Sequence, residues 1–578
     1  MILLPIFSAL LCAISLPNEL FLTGFWPTGF IALAPLYIAL LRARSPRRAA
    51  LSGAIFGALS HGLTSYWLFF YKDFAFWTLG STTLAYAVVY AAIAMYGSFL
   101  LRSEFRAYRP FLFAIGWAAF EYLKSSGFLG YPWGLIPYSL SSVPLLLQTA
   151  DTTGLYGLSF LLALSSAIAA ELLTKERLPR RPFVAGKPVA PGPPAVTSPP
   201  EALSWFSRLS HLGSSGRFDR PEESGGEADF TARAAAFLAF SFFIVLVYGL
   251  VSFARPIPQK TTLRATLVQQ NTDPWLSGEM PVLQSNIELA RQAYETNKAV
   301  GGQPVDLVVF SETSFQRPFA EYRRWFALNP KPDPLLPFLA ESGSQLLTGA
   351  PIVLDWDKYL LTNSVILLSS QGALLDSYAK IHPVPFAEAI PLWEYEWFRK
   401  FMQNVVGLES GWVMGDRVTI FSMTPKASNG MKVNFGTPIC FEDAFADLCR
   451  QYFLKGADLL INLTNDSWSR TQSAQIQHWA IARIRAIENR RTLVRSTNSG
   501  VSCVVDAWGN SLYEMPQFEA RAITVDIPIY APPEPTLYTT YGDWFAKLCT
   551  LLLALGGVLN CIRFRKRIAC AGDRYDFY

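Results

Sequence analysis

Long apolar runs separated by short basic clusters occupy residues 3–16, 26–41, 50–71, 82–101, 110–123, 154–173 and 234–254, with one more at 544–562. About 20 apolar residues are needed for a helix to cross the hydrocarbon core of a bilayer, so the pattern predicts eight transmembrane helices, the first two short. The opening run lacks a basic flank and a small-residue cleavage site, which predicts a retained helix and not a cleaved leader. The texture changes at 261–528. TLRATLVQQ, VDLVVF, QLLTGAPIVL, NSVILLSS, KVNFGTPI, ADLLINLT and TLVRSTNS read as strands bounded by turn residues. SNIELARQAYETNKA, EDAFADLCRQYFLKG and SAQIQHWAIARIRAIENR read as helices, the last with Ile476, Ala480, Ile484 and Ile487 along one apolar stripe. Strands alternating with helices predict an α/β domain of mixed sheets covered by helices.

The predicted organisation is therefore six transmembrane helices over 1–180, an insert over 181–232, a seventh helix over 233–256, the α/β domain over 257–542, and an eighth helix with a basic tail over 543–578. The insert is rich in Pro, Gly and Ser (GKPVAPGPPAVTSPPE, SGRFDRPEESGGE), which predicts disorder and no catalytic role. Composition agrees with a membrane protein: apolar residues make up 51% of the chain and charged residues only 16%, below the roughly 25% of soluble proteins. The formal charge of +5 resides in clusters flanking the apolar runs, which argues against a nucleic-acid surface. Arg42 to Arg48, Arg102 to Arg109, Lys175 to Arg181 and Arg563 to Arg567 follow the second, fourth, sixth and eighth runs. Basic short loops stay cytoplasmic, so all four share that side only if the α/β domain is extracytoplasmic.

Three reactive side chains stand just past predicted strands, where a sheet can aim them into one cleft: Glu312 in VVFSETSF, Lys380 in LLDSYAKIHPVPFAE and Cys440 in VNFGTPICFEDAF. A thiol is mostly protonated at neutral pH, its pKa being about 8.5, and a cysteine nucleophile needs a base. Glu312 suits that role. Lys380 offers a fixed positive charge that favours a thiolate and an oxyanion. Cys440 is expected at the start of a helix beginning near Glu442, where backbone N–H groups favour negative charge, with the Phe441 N–H in the oxyanion hole.

At these residues the sequence resembles the carbon-nitrogen hydrolase (nitrilase) superfamily, and more closely its membrane branch, the apolipoprotein N-acyltransferases. The resemblance rests on Lys380 followed by His382, Pro385, Phe386 and Glu388, on Cys440 with Glu442, on NLTNDSW at 462–468 and on QHWAIARIRAIENRRTLVRSTNSG at 477–500. The sequence departs from the pattern at Ala387, Phe441 and Ser311, where glycine, tyrosine and proline are usual. The resemblance implies an αββα sandwich beside the helical bundle and a ping-pong reaction. In that reaction Cys440 takes an acyl chain from a phospholipid and passes it to the α-amine of a diacylglyceryl-modified apolipoprotein. Glu312 would serve as base, Lys380 would face the oxyanion, Glu388 would support the triad, and Trp275 would lie on a loop near the lipid entrance. It further implies a multi-pass protein of the bacterial inner membrane with its catalytic domain on the periplasmic side. No cofactor is implied, and His382 and His478 lack companions at metal-ligand spacing.

Other residues carry plainer expectations. Glu442 either joins the site or accepts backbone hydrogen bonds at a helix start; Asn465 and Asp466 build a turn; Cys449 and Cys503 pack as core residues. Trp67, Trp77, Trp133 and Trp275 are expected as interfacial anchors, and Glu121 and Lys124 as groups that snorkel or meet a phospholipid. A membrane-tethered amidase using the same triad is the alternative function.

Overall fold

The computed structural model describes residues 2–71, 76–102, 108–174, 224–272, 274–407 and 411–572. Most of the predicted insert lies outside these residues, and so do the Lys175–Arg181 cluster and Arg106.

Every apolar run contains helix: Leu3–Ser15, Ala34–Arg42, Pro46–Thr64, Ser81–Leu101, Arg109–Lys124, Tyr156–Thr174, Ser224–Ala254 and Trp544–Gly572. Among the described residues, four helices are long and apolar enough to cross a membrane, namely Phe76–Leu101, Tyr156–Thr174, Phe230–Ala254 and Trp544–Arg563. The other four apolar runs form helices that are shorter or more polar. Leu3–Ser15 has 13 residues, a rise of about 20 Å, and Pro46–Thr64 carries Arg47, Arg48 and His61. The helix expected to begin at 233 begins at Ser224, because helix propagation does not stop where apolar composition stops.

The α/β domain is built on two six-stranded mixed sheets. In the first, Leu307–Val309 is flanked by parallel neighbours Gln259–Gln269 and Gln345–Gly349, and antiparallel strands Arg521–Tyr530, Ser364–Leu368 and Leu374–Ala379 complete it. In the second, Leu459–Thr464 lies parallel to Val433–Gly436 and Thr492–Thr497, with Phe421–Met423, Cys503–Val505 and Ser511–Glu514 antiparallel outside. Side chains alternate across a strand, and the burial follows. Leu307, Val309, Leu347, Val365 and Leu367 pack inward against Val433, Phe435, Leu459, Ile461 and Leu463 of the facing sheet. Val308, Leu346, Ile366 and Leu368 turn outward onto Leu283, Ile287 and Phe338 of the covering helices. The result is helix, sheet, sheet, helix, as the resemblance implies.

The outer helix on the second sheet, Gln472–Asn489, corrects the single-stripe expectation. Its Ile476, Ala482 and Ala486 pack on the sheet, while Ile481, Ile484 and Ile487 pack into the apolar core of the membrane half. A helix covered on both faces couples the two halves of the chain. Polar bonds join them as well: Gln477 Nε2 donates to the Pro17 and Thr64 carbonyls (2.8 and 3.1 Å), and Arg490 pairs with Asp151 at 2.7 Å.

That junction overturns two membrane expectations. Trp67 and Trp133 are not boundary anchors: they are 4% and 5% exposed, with Trp67 Nε1 donating to Gln477 Oε1 at 3.0 Å. Glu121 neither snorkels nor faces a lipid; it is buried and accepts from Ser159 Oγ, the Ile136 N–H and Trp117 Nε1. Lys124 donates to the Trp133 carbonyl. Glu121 is buried and Lys124 half-buried where the aromatic loop after residue 125 folds back over them.

Candidate active site

Glu312 follows the central strand Leu307–Val309 of the first sheet, Lys380 follows its edge strand Leu374–Ala379, and Cys440 follows Val433–Gly436 of the second. Facing sheets carry the three chain ends to one place. Lys380 Nζ lies 3.6 Å from Glu312 Oε1 and 2.8 Å from Glu388 Oε1, and the charges of the Glu312 carboxylate and the Lys380 ammonium both act on the Cys440 thiol. Lys380 is 1% and Glu312 5% exposed. Such burial is tolerable for charge only when partners are in contact.

Sequence reasoning missed two partners of the carboxylates. Asn363 Nδ2 donates to both Glu312 Oε1 and Glu388 Oε1, each at 3.0 Å, and the Asn465 N–H donates to Glu312 Oε2 at 3.0 Å. Asn465 therefore does more than build a turn. Asn363 opens the predicted strand NSVILLSS, and only the approach of Glu388 from a later loop gives it a second acceptor. Glu388 is itself clamped, its Oε2 accepting from the Val384 N–H at 2.8 Å.

The nucleophile candidate sits on a strained turn. Cys440 has φ +50°, a left-handed conformation that costs a non-glycine residue roughly 1–2 kcal/mol. The helix expected near Glu442 is a five-residue 3-10 turn starting at Cys440 itself, and regular α-helix begins at Ala446. Glu442 holds this turn. Its carboxylate accepts from the N–H groups of Ile439, Ile381 and His382 and from the Tyr378 hydroxyl, all within 2.7–3.0 Å. One buried carboxylate thus ties the Cys440 turn to the strand end that carries Lys380, settling Glu442 as an anchor of backbone. Burial lifts its pKa to about 7.

Burial, then the Glu312 charge, push the Cys440 thiol well above its ordinary range, with Lys380 opposing. Desolvation thus outweighs the ammonium that was expected to favour a thiolate, which is the circumstance in which a cysteine nucleophile needs a base beside it. Burial also raises Glu312, Lys380 pulling the other way, and a raised carboxylate is a stronger base. Burial lowers Lys380, but Glu388 and then Glu312 outweigh it and hold the ammonium far above its usual value. The arrangement can deprotonate a thiol during attack and place a fixed cation beside the new oxyanion.

The Phe441 ring stacks on Trp133 of the membrane half, centroids 5.3 Å apart and planes 12° from parallel. The missing hydroxyl therefore leaves no unpaired polar group against the tryptophan. Ser311, where proline is usual, exchanges hydrogen bonds with the Gln270 side chain at 2.9–3.0 Å. Trp275 lies in the short helix Pro274–Ser277, and its side chain falls outside the described residues.

Gly349 shows how closely the site is built. A Cβ there would lie 2.8 Å from the Glu312 Cα and the Thr313 nitrogen, and backbone cannot swing aside as a flexible side chain can. Gly349→Ala is expected to fold yet lose on the order of 10²-fold in turnover, since misplacement by about 1 Å costs that much. Comparison of kcat with thermal stability checks it, with kcat the more affected.

Two family models match the chain, the apolipoprotein N-acyltransferase N-terminal domain at residues 8–168 and the carbon-nitrogen hydrolase at residues 264–530. Apolipoprotein N-acyltransferase 2 of Treponema denticola is 36% identical over 94% of this chain and 95% of its own. The corresponding protein of Treponema pallidum is 34% identical over 97% and 95%. A carbon-nitrogen hydrolase structure from Helicobacter pylori G27 is 18% identical, covering 47% of this chain and 90% of its own with a TM-score of 0.34. Near-complete coverage at such identity, with both halves matched in order, establishes that the chain belongs to the apolipoprotein N-acyltransferases, membrane-associated enzymes of lipoprotein N-acylation.

Proposed function

We propose that Cys440 carries the acyl group as a thioester between a phospholipid donor and the α-amine of the diacylglyceryl-modified N-terminal cysteine of an apolipoprotein. As the sulfur attacks the ester carbonyl, its proton passes to Glu312 and the oxyanion forms beside Lys380. The C–O bond then breaks, and the departing alcohol of the lysophospholipid takes the proton back from Glu312. In the second half-reaction the amine attacks the thioester and its proton passes to Glu312. The C–S bond breaks and Glu312 returns the proton to sulfur. Glu388 and Asn363 act through Lys380 and Glu312, as positioning residues.

The observation that carries this reading is a buried carboxylate and a buried ammonium 3.6 Å apart whose charges act on the Cys440 thiol, with Cys440 packed against the apolar core of the membrane half and Phe441 stacked on Trp133. A site walled by membrane-half residues favours a lipid donor over a small amide. Eight crossings of the bacterial inner membrane with a periplasmic catalytic domain are part of the same proposal, supported by the basic clusters.

Mass spectrometry of the Cys440 peptide after exposure to a defined phospholipid is the test. The expected result is the mass of one donor acyl chain on Cys440, removable by hydroxylamine. Hydrolysis of small amides with no lipid-derived thioester would instead establish the tethered amidase.

A further inference from the structure

Behind Cys440 lies a buried cluster of four ionisable side chains that the reaction above does not use. His478 projects from helix Gln472–Asn489, Asp443 from the Cys440 turn, Asp466 from the loop after Leu459–Thr464, and Arg495 from strand Thr492–Thr497. None is more than 5% exposed. His478 Nδ1 lies 2.8 Å from Asp466 Oδ1, and its Nε2 lies 2.9 Å from Asp443 Oδ1. Arg495 bonds the second oxygen of each carboxylate.

An ionised carboxylate only accepts hydrogen bonds, so a ring with one on each nitrogen satisfies both contacts only as an imidazolium. The charge count agrees. Two carboxylates balance one guanidinium and one imidazolium; with His478 neutral, one negative charge would remain buried near the nucleophile. The chain makes room for this arrangement, since a Cβ at Gly500 would fall 2.5 Å from Asp466 Oδ2.

The cluster touches the site on both sides. Asp443 belongs to the turn that Cys440 begins, and Asp466 follows Asn465, whose N–H holds Glu312. Trp133 completes the enclosure, its ring 5.5 Å from His478 while it stacks on Phe441. We propose that protonated His478 is a positioning residue, which by clamping Asp443 and Asp466 aligns the Cys440 turn with the Glu312 loop and cancels carboxylate charge that would otherwise oppose ionisation of the thiol.

The groups facing the ring are Asp443, Asp466 and Arg495. Burial lowers the His478 pKa, but Asp443 and then Asp466 outweigh it and lift the value to about 9, Arg495 opposing. A histidine raised in this way contributes stability that is full below about 6.5, its unfolded value, and is lost as pH rises through about 9. Asp466 already acts to raise the Cys440 thiol.

The inference rests on Cys440 as nucleophile, and its test reads the thiol and the imidazole directly, so that it does not depend on acyl transfer. In full-length protein with isotope-labelled histidine, the His478 ring is expected to stay protonated at pH 8; a neutral ring at pH 7 overturns the proposal. His478→Gln is expected to slow alkylation of Cys440 by iodoacetamide at neutral pH on the order of tenfold for each unit by which the thiol rises. Its alkylation profile should shift to higher pH, with KM for phospholipid unchanged. Adding Asp466→Asn restores the charge balance and is expected to return the profile toward that of the unaltered protein. Superimposable profiles for His478→Gln and the unaltered protein, or a shift that Asp466→Asn fails to reverse, would show that the cluster only supports the fold.

Discussion

Cys440→Ala protein given labelled phospholipid is expected to carry no acyl label and to transfer none. Removal of a covalent nucleophile costs on the order of 10⁶-fold, because the remaining groups have no bond to make. The substitution is structurally mild. Cys440 is only partly buried, and the turn that carries it is fixed by Glu442 through the backbone N–H groups of Ile439, Ile381 and His382. Alanine inherits the left-handed φ of +50°, so the backbone strain is unchanged. The decisive measurement pairs two readouts on one preparation: a thermal unfolding midpoint close to that of the unaltered protein, and loss of both label and transfer. Residual transfer above a few per cent would mean that the amine attacks the phospholipid directly and that Cys440 is not on the path.

Glu312, Lys380 and Cys440 could be singled out as candidates because each stands within a few residues of a strand's end, a place that a short apolar run reveals. The groups that tune it were not. Asn363 reads as the opening residue of a strand, and its bond to Glu388 spans 25 positions of chain. His478 reads as one polar position on an apolar helix, and its two carboxylates arrive from a turn and a loop that periodicity does not connect. The left-handed φ of Cys440 has no sequence signal comparable to glycine, and the expected helix start was misplaced for that reason.

The membrane half shows a different limit. Each long apolar run contains a helix, but hydropathy could not tell lipid-facing from protein-facing aromatics. Trp133 and Trp77 look alike in sequence, both within aromatic stretches, yet Trp133 is 5% exposed and Trp77 41%. What separates them is the catalytic domain docked on one and not on the other. Glu121 likewise has the pattern of a group seeking water, and only the fold supplies Ser159, Trp117 and the Ile136 N–H as its partners.

Lys380→Met is expected to lower kcat by on the order of 10³-fold, the usual consequence of removing a preorganised oxyanion partner, and to move the acid limb of the pH–rate profile to higher pH. The sign follows from the contacts. Glu312 must be ionised to accept the thiol proton; burial already raises its pKa and the Lys380 charge is the largest influence lowering it. Activity is therefore lost as pH falls through the folded-state value, and removing the ammonium lifts that value further. Glu388→Gln should shift the limb the opposite way, because the Glu388 charge raises Glu312 and because Lys380, freed from a 2.8 Å partner, can close on Glu312 from 3.6 Å. Lys380→Arg keeps the charge but not its compact shape, and is expected to keep the limb near its original pH while still reducing kcat. The pH dependence of single-turnover acylation across the three variants checks the assignment. Identical limbs in all of them would mean that the titrating base is some group other than Glu312.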